Sequence, residues 1–230
     1  AGFEFPDLEL DHEFLALSQP GRYPIDGGVP RTSSGRTWPL AEFTEHVVEH
    51  QVPHSTALHA RLDGKPFLVG PLARYALNHT ALSPTARQVA AEAGLGPVCR
   101  NPFRSIVVRA VETVYALDEA LRLLDEYEPP SPSFVDVEAR DAVGHGATEA
   151  PRGLLYHRYE IADGLIKSAN IVPPTAQNQA AIEADLANLI TGNLDLNNQE
   201  LTALCEQAIR NYDPCISCSA HFLDLTLDHR

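Results

Sequence analysis

Residues 102–127 carry the strongest helical signal in the chain and therefore constrain the fold most. Over this stretch, apolar residues recur at the three- and four-residue spacing of one helix face. A stripe this wide predicts a long, well-buried helix, which the proline-rich segment 128–133 would end. The apolar positions of the predicted stripe are Ile106, Val107, Ala110, Val114, Leu117, Ala120, Leu121 and Leu124.

Shorter elements are expected before this helix. Residues 1–40 are rich in proline, glycine and serine, which predicts loops and short strands. A short helix is expected over 40–51, ahead of Pro53, and a hairpin over 56–72 around an Asp-Gly turn. Ser83 is a favourable N-cap for the next helix, because its hydroxyl can accept a hydrogen bond from the first turn.

The second half of the chain mixes strands with helices. Alternating apolar and polar residues flank Asp163 and Gly164, a pattern that predicts a β-hairpin with its turn there. Two helices are expected afterwards, over 177–190 and 198–212. The predicted fold class is therefore α-rich α+β, with long buried helices and a small antiparallel β region.

Charge and composition exclude several classes of protein. The chain has 31 acidic and 17 basic residues, and its net charge of −14 argues against nucleic acid or an anionic membrane surface as a partner. Apolar residues make up 44%, which excludes wholesale disorder, yet no run of about 20 of them predicts a membrane span. The first residues show no secretory signal and the four cysteines are too few for a disulfide framework, so we expect a cytoplasmic location.

One string predicts a zinc site. His46, Glu49 and His50 form an H-x-x-E-H pattern on the helix expected over 40–51. Two histidines one helical turn apart can bind zinc, and the glutamate beside them can act as a base. A zinc hydrolase is therefore one hypothesis, and a polar helix face is the simpler interpretation in a chain with ten histidines.

A second string lies near the C-terminus and reads DPCISCSAH. Cys215 and Cys218 form a C-x-x-C pair, whose thiolates can converge on one metal ion, and His221 follows at the same interval. Cys99 and Cys205 lack the spacing that would supply two further ligands of a structural zinc site. A redox pair is the alternative, although such a pair normally opens a helix after a strand.

Two further strings could contact an anionic ligand. Arg152 lies between a proline and a glycine in EAPRG, which presents its planar guanidinium rigidly; a surface turn is the simpler interpretation. In VPPTAQN, Pro173 and Pro174 stiffen a loop, and Thr175 can cap the next helix or donate to a ligand.

Taken together and in this order, EAPRGLLYHRYE, ANIVPPTAQN and DPCISCSAH resemble the large, catalytic subunit of nickel–iron hydrogenases. The strings EHQVPHSTAL and NPFRSIVVRAVE are similar to its cytoplasmic, multimeric branch, which couples to NAD(P) or F420. The related large subunit of respiratory complex I lacks the DPCxxC cysteines and is therefore a poorer match. The resemblance covers residues 40 to 221 and implies a heteromultimeric oxidoreductase that interconverts H2 with protons and electrons.

The resemblance implies a role for each matching metal ligand. Cys215 would be a terminal nickel ligand and the first proton acceptor, and Cys218 would bridge nickel and an iron that carries cyanide and CO. His221 matches a histidine that binds magnesium, and the backbone carbonyl of Asn170 would be a second magnesium ligand. Iron–sulfur clusters would lie in a partner small subunit.

The same comparison implies roles for residues around the iron. Arg152 matches the arginine that overhangs the iron and its diatomic ligands, with Asp213 as its partner. Thr175, or the loop around Pro174, would lie beside a cyanide ligand. These assignments agree with elementary chemistry, because cyanide bound to iron carries negative charge that a guanidinium or a hydroxyl can stabilise.

The chain departs from the family pattern in two ways. The motif R-x-C-G-x-C, which supplies two further thiolates in the family, is absent, so we expect an incomplete subunit that is inactive alone. The second departure is the extension over 222–230, which a maturation endopeptidase would remove. The expected domain organisation is therefore an entry segment over 1–40, the C-terminal part of a large-subunit domain over 41–221, and this extension.

Partners and alternatives follow from this resemblance. The expected partners are a diaphorase or F420 module and the iron–sulfur small subunit, with H2 as substrate. The alternative functions are a non-catalytic fragment that binds one metal ion or scaffolds a partner, and the zinc hydrolase described above.

Overall fold

A computed structural model describes residues 5–138 and 140–215 of the chain. This part combines helices with three small sheets, so the predicted α+β class is confirmed. The strands are β1 (Glu13–Ser18), β2 (Val29–Thr32), β3 (Val47–His50), β4 (His59–Leu62), β5 (Phe67–Leu68), β6 (Ala142–Ala150), β7 (Gly153–Ala162) and β8 (Leu165–Val172). The helices are α1 (Phe43–His46), α2 (Pro71–Asn78), α3 (Pro84–Glu92), α4 (Ser105–Asp125), α5 (Pro174–Thr191) and α6 (Asn198–Asn211).

Strand β1 separates two hydrophobic clusters. It pairs antiparallel with β2 and parallel with β5, so it occupies the middle of its sheet. Successive side chains of a strand point to opposite faces. Accordingly Phe14 and Ala16 join a cluster with α2, α3 and α4, whereas Leu15 and Leu17 join a second cluster that includes residues of β4 and β7. The strand thereby separates a cluster formed mainly by helices from one formed mainly by other strands.

The helix predicted over 40–51 is correct only in its first part. A 3-10 turn over Leu40–Glu42 leads into α1, but β3 follows α1 directly and pairs antiparallel with β4. Val47 and Val48 are β-branched residues, which favour a strand over a helix when a partner strand is available. The hairpin predicted over 56–72 is only partly correct, because after the turn at 63–64 strand β5 pairs with β1 instead.

Ser83 caps the start of α3 as predicted, and a glycine follows the end of this helix. The Ser83 hydroxyl accepts a hydrogen bond from the amide of Ala86, 3.2 Å away, and Pro84 occupies the first turn. Gly94 follows the helix with a positive φ, a conformation that glycine adopts without steric cost.

Helix α4 occurs where it is predicted but does not bury the predicted stripe. Its buried side chains are Ser105, Val108, Val111 and Tyr115. Leu117, Leu121 and Leu124 are each more than 60% exposed. Apolar residues surround the first half of this helix on several sides, so the spacing alone does not decide which of them faces the core. The long helix is therefore only partly buried.

Strands β6, β7 and β8 form an antiparallel meander, with the β7–β8 turn at Asp163 and Gly164 as predicted. Helices α5 and α6 confirm the two helices expected after it, although α5 begins at Pro174 rather than near 177. A capping box starts α6: the Asn197 side chain accepts from the amide of Glu200, whose carboxylate accepts from the amide of Asn197. Within the described ranges, no helix is long and apolar enough to cross a membrane.

Candidate functional site

The turn between β6 and β7 places Arg152 where four segments meet. Gly70, just before α2, packs against this turn so closely that a Cβ at residue 70 would lie 2.6 Å from the Arg152 carbonyl oxygen. Gly70 and Gly153 both have positive φ angles, of 103° and 136°, which side chains rarely tolerate. Backbone packing therefore fixes the position from which the Arg152 side chain extends.

A buried arginine on α2 holds the same turn from the other side. Arg74 donates to the carbonyl oxygens of Ala150 and Pro151, at 2.7 and 3.1 Å. It also pairs with both carboxylate oxygens of Glu112 at 2.8 Å and with Glu149 at 3.1 Å. These are charge-assisted bonds in a site with little water, so they stabilise one arrangement of the turn.

The charges in this cluster are unbalanced, because two carboxylates face one guanidinium. Burial, opposed by the charge of Arg74, raises the pKa of Glu149 to about 7. Burial alone would lower the pKa of Arg74, but the charge and hydrogen bonds of Glu112, together with the charge of Glu149, outweigh it and raise that pKa. Tyr23 donates its hydroxyl to Glu112 at 2.7 Å, and its burial raises its pKa, so it stays protonated and remains a donor.

The first turns of α5 contact the same region through buried amides. The side chain of Asn178 accepts a hydrogen bond from the amide of Val69 at 2.8 Å and lies 3.4 Å from the Arg152 carbonyl oxygen, to which it donates. Gln177 donates to the carbonyl oxygens of Leu154 and Val172. Thr175 is buried in the same turn. The VPPT loop is thereby attached to both the Arg152 turn and the start of α2.

The end of α6 is held by side chains from other helices. Ser105 and Arg109 of α4 both donate to the carbonyl oxygen of Asn211, at 2.6 and 3.2 Å. Tyr212 donates its hydroxyl to Asp185 of α5 at 2.5 Å. These bonds fix the direction in which the chain leaves α6 toward Cys215.

Arg152 and Asp213 connect the turn to this segment. The Arg152 Nε donates to the backbone carbonyl of Asp213, and Nη2 lies 3.4 Å from its carboxylate. Asp213 has a φ of 50°, so the chain bends sharply there, two residues before the half-buried Cys215. A narrow cleft lined by Arg152, Asn178 and Tyr212 opens beside this bend. The strings that contain Arg152 and Asp213 lie about sixty residues apart in the sequence and are thus brought together.

Several predicted site residues lie elsewhere or cannot be placed. Cys218, His221 and the extension 222–230 lie outside the described residues. Asn170 lies on β8 opposite Arg158, and its side-chain oxygen is buried with no hydrogen-bond partner among the described residues. Pro174 is the first residue of α5, next to Thr175. The roles given to these residues stay predictions.

The H-x-x-E-H string does not form the predicted helical pair. His46 ends α1, whereas Glu49 and His50 lie on β3, so the two histidines are not one helical turn apart. His46 instead lies 3.3 Å from the carboxylate of Asp63. Within residues 5–138 and 140–215, these three side chains do not come together as a metal-ligand group. The structural premise of the zinc hydrolase is therefore wrong.

Comparison with known families identifies the family to which the chain belongs. The model of the family described as nickel-dependent hydrogenase matches residues 31–221, which is most of the chain. This chain belongs to the nickel-dependent hydrogenase family. The match includes every site residue inferred from the resemblance and extends to His221.

Individual relatives agree with this family assignment. The chain is 33% identical over 226 residues to the alpha subunit of sulfhydrogenase 1 from Pyrococcus furiosus, covering 96% of this chain and 53% of that protein. It is 33% identical over 168 residues to the iron-sulfur subunit of an F420-non-reducing hydrogenase from Archaeoglobus profundus, covering 68% of this chain and 34% of that protein. The chain thus spans about half the length, or less, of these relatives.

Solved hydrogenase structures share the fold. The crystal structure of an NAD+-reducing [NiFe]-hydrogenase superposes with a TM-score of 0.80 at 23% identity, over 93% of this chain and 51% of that one. The Ni-Fe-Se hydrogenase from Desulfomicrobium baculatum gives a TM-score of 0.64 at 22% identity, over 90% of this chain and 51% of that one. The hydrogenase architecture of the described part is therefore confirmed.

Sequence inspection missed the residues that support the site. Arg74 and Gly70 belong to no recognisable motif, and the VPPTAQN string contains Asn178 without indicating a role for it. The contacts of these residues to the Arg152 turn cross long stretches of sequence. Glu149 lies inside the EAPRG string, yet its buried side chain is bonded to the Leu17 amide of β1 and to Arg74 of α2, both remote in sequence. No local signal identifies such residues, because their roles arise from contacts between distant segments.

Proposed function

We propose that this chain is the C-terminal part of the catalytic large subunit of a nickel–iron hydrogenase, which oxidises H2 or reduces protons reversibly. One observation carries the proposal: the Arg152 guanidinium is bonded to Asp213, two residues before Cys215, within the region that the family model matches. This contact supports a site in which a soft thiol ligand and a cationic fork would lie close together.

The residues present fit half of a nickel–iron centre. Cys215 and Cys218 would supply two thiolates, which suit nickel and low-spin iron. When bound, such a centre supplies the chemistry that interconverts H2 with two protons and two electrons. Two more thiolates from an R-x-C-G-x-C motif would complete it, so we expect the chain alone to be inactive. Magnesium would bind His221 and the Asn170 carbonyl.

Arg152 would act on the anionic ligands of the iron. Asp213 accepts from Nε and Nη2, while Nη1 has no hydrogen-bond partner among the described residues. A donor held in this way can stabilise negative charge without reorganising. Thr175 and Pro174, at the start of α5, would border the same ligands, and Asn178 and Arg74 would hold the backbone of the arginine turn in place.

Cys215 would also move the proton. A thiolate in this position can accept the proton released from H2, and the electrons would leave through an iron–sulfur small subunit. The exposed apolar residues of α4 are consistent with a chain that is covered by other protein in its complex. A diaphorase or F420 module and a maturation endopeptidase that trims 222–230 are the further partners we propose, in the cytoplasm.

The decisive test is metal content and turnover in the assembled complex. The large subunit that contains this chain would be purified with its small subunit, and H2-dependent reduction of a viologen dye would be measured beside nickel and iron content. We expect Cys215→Ser to abolish nickel loading. Arg152→Lys should keep nickel but lower turnover by about 100-fold, because it removes the planar fork from the charge it stabilises.

A matched control separates the site from the fold. Cys205 is a buried thiol on α6, so Cys205→Ser should leave nickel content unchanged. Normal nickel content in Cys215→Ser would refute the proposal. A nickel-free parent complex that binds only zinc would favour the non-catalytic metal-binding fragment instead.

A further inference from the structure

A second cluster of metal-binding side chains lies outside the candidate hydrogenase site. His54 comes from the loop between β3 and β4, His59 begins β4, and Glu183 lies on α5. The Nε2 atoms of His54 and His59 lie 3.0 and 3.4 Å from the same carboxylate oxygen of Glu183. One potential ligand atom from each residue falls within 4.8 Å of the other two.

The buried histidine of this cluster is unsatisfied. His59 is only 2% exposed, and its Nε2 has no hydrogen-bond partner among the described residues, although Glu183 is near. Buried polar atoms in native proteins almost always have a partner, so this nitrogen needs one. Burial lowers the pKa of His59, which keeps the imidazole neutral and able to offer a lone pair.

The spacing of the three side chains fits a tetrahedral metal ion. Zinc binds histidine nitrogen and carboxylate oxygen at about 2.0–2.1 Å, which separates neighbouring ligand atoms by about 3.3–3.4 Å. The two histidine-to-Glu183 separations of 3.0 and 3.4 Å are already close to this value. One nitrogen of each histidine lies within 4.8 Å of the other, so the ion would draw the exposed His54 ring toward His59. Two histidines and one glutamate are also a common zinc donor set with one position left for water.

We propose that His54, His59 and Glu183 bind one zinc ion. The ion can enter from solvent, because the side chains of His54 and Glu183 are 63% and 37% exposed. It would give the His59 nitrogen a partner and would join the β3–β4 loop to α5. A simple ion pair between His54 and Glu183 leaves the buried nitrogen of His59 unexplained.

The test measures zinc binding and zinc-dependent stability in the full 230-residue chain. Cys215→Ser and Cys218→Ser are introduced first, because thiolates bind zinc independently of this cluster. Zinc would be titrated against a chromogenic chelator, and the unfolding midpoint would be measured with and without zinc. We expect one equivalent to bind and the unfolding midpoint to rise, because an ion that binds only the folded state stabilises it.

Single substitutions assign the ligands. His54→Ala and Glu183→Gln should each weaken zinc binding by more than about tenfold, since loss of even a supporting residue around a metal costs that much. His50→Ala is the matched control: His50 is exposed and lies opposite His59 on the neighbouring strand, and its loss should leave affinity unchanged. Because His54 is a surface loop residue, its replacement tests the site without disturbing the core.

Either of two results would overturn the proposal. One is the absence of stoichiometric zinc binding in the parent, with an unfolding midpoint that zinc does not change. The other is equal zinc affinity in the parent and in His54→Ala, which would show that the ion binds elsewhere. Cobalt provides a further check, because a nitrogen- and oxygen-ligated tetrahedral ion should give visible absorption without the intense thiolate bands of a cysteine site.

Discussion

Gly70 and Gly153 meet so closely that a Cβ added to Gly153 would lie 2.8 Å from the backbone nitrogen of Gly70. This contact joins the start of α2 to the residue that follows Arg152. Neither residue can carry a side chain without moving backbone, and both have positive φ angles. The position of the arginine therefore depends on two glycines that are far apart in the sequence.

Gly70→Ala should destabilise the chain strongly. The new methyl would meet the Arg152 carbonyl oxygen at 2.6 Å in a backbone conformation that alanine rarely adopts. We expect the free energy of unfolding to fall by at least about 2 kcal/mol in denaturant titrations. Gly35→Ala is the control, because Gly35 has a φ of 89° and no atom within 4 Å of an added Cβ. Equal losses in the two variants would contradict the close-contact explanation.

Arg74→Met should be among the most damaging substitutions in the chain. It would leave Glu112 and Glu149 facing each other in the interior without a cation. Removing one partner of a buried ion pair costs about 3–5 kcal/mol of unfolding free energy. Arg122 offers the comparison, because it also binds two glutamates, Glu119 and Glu126, but on the exposed surface of α4. Arg122→Met should change stability little, and similar losses would refute the importance of burial.

Glu149→Gln should remove a pH dependence of stability. The pKa of Glu149 rises from 4.5 to about 7 on folding, so the folded chain binds an extra proton between these values. The unfolding free energy of the parent should therefore fall as pH rises through this window, by about 3 kcal/mol in total from this residue. The glutamine variant should lack that decline in denaturant titrations across the window. An unchanged pH profile would show that Glu149 stays ionised throughout.

Tyr212→Phe should loosen the segment that leads to Cys215. Its hydroxyl donates to one oxygen of Asp185, whose other oxygen lies 2.7 Å from His12. Loss of the hydroxyl should lower the unfolding free energy by about 1–2 kcal/mol and speed amide exchange at the end of α6. Tyr127→Phe is the control, since Tyr127 is 65% exposed. Equal exchange rates in parent and variant would contradict an anchoring role.

Local signals predicted many of the elements. The Ser83 cap, the turn at Asp163 and Gly164, and the helices α5 and α6 depend on residues within a few positions of each other, so the sequence reports them directly. The strings EAPRG and DPCxxC indicated the family. The structure shows a hydrogen bond between Arg152 and Asp213, and the roles that the resemblance gives these residues stay predictions. In each of these cases the interpretation needed little knowledge of the tertiary contacts.

The errors have a tertiary origin. Helix α4 has apolar residues on more than one side, and packing against α2 and α3 selected Val108 and Val111 over the predicted Leu117 and Leu121. Residues 47–50 became a strand because β4 supplies hydrogen bonds to two β-branched valines. Spacing alone predicts neither outcome. The buried face of α4 depends on its packing against α2 and α3, and the strand over 47–50 depends on its pairing with β4.

The bond between the Leu17 amide and Glu149 has a consequence for how the chain is made. These residues are 132 positions apart, so β1 cannot complete its hydrogen bonds until the strand that carries Glu149 has left the ribosome. At about 5–20 residues per second, the interval is roughly 7–26 s. During that interval the Leu17 amide and the apolar side chains of β1 lack their final partners. A segment in this state is a suitable binding site for a chaperone.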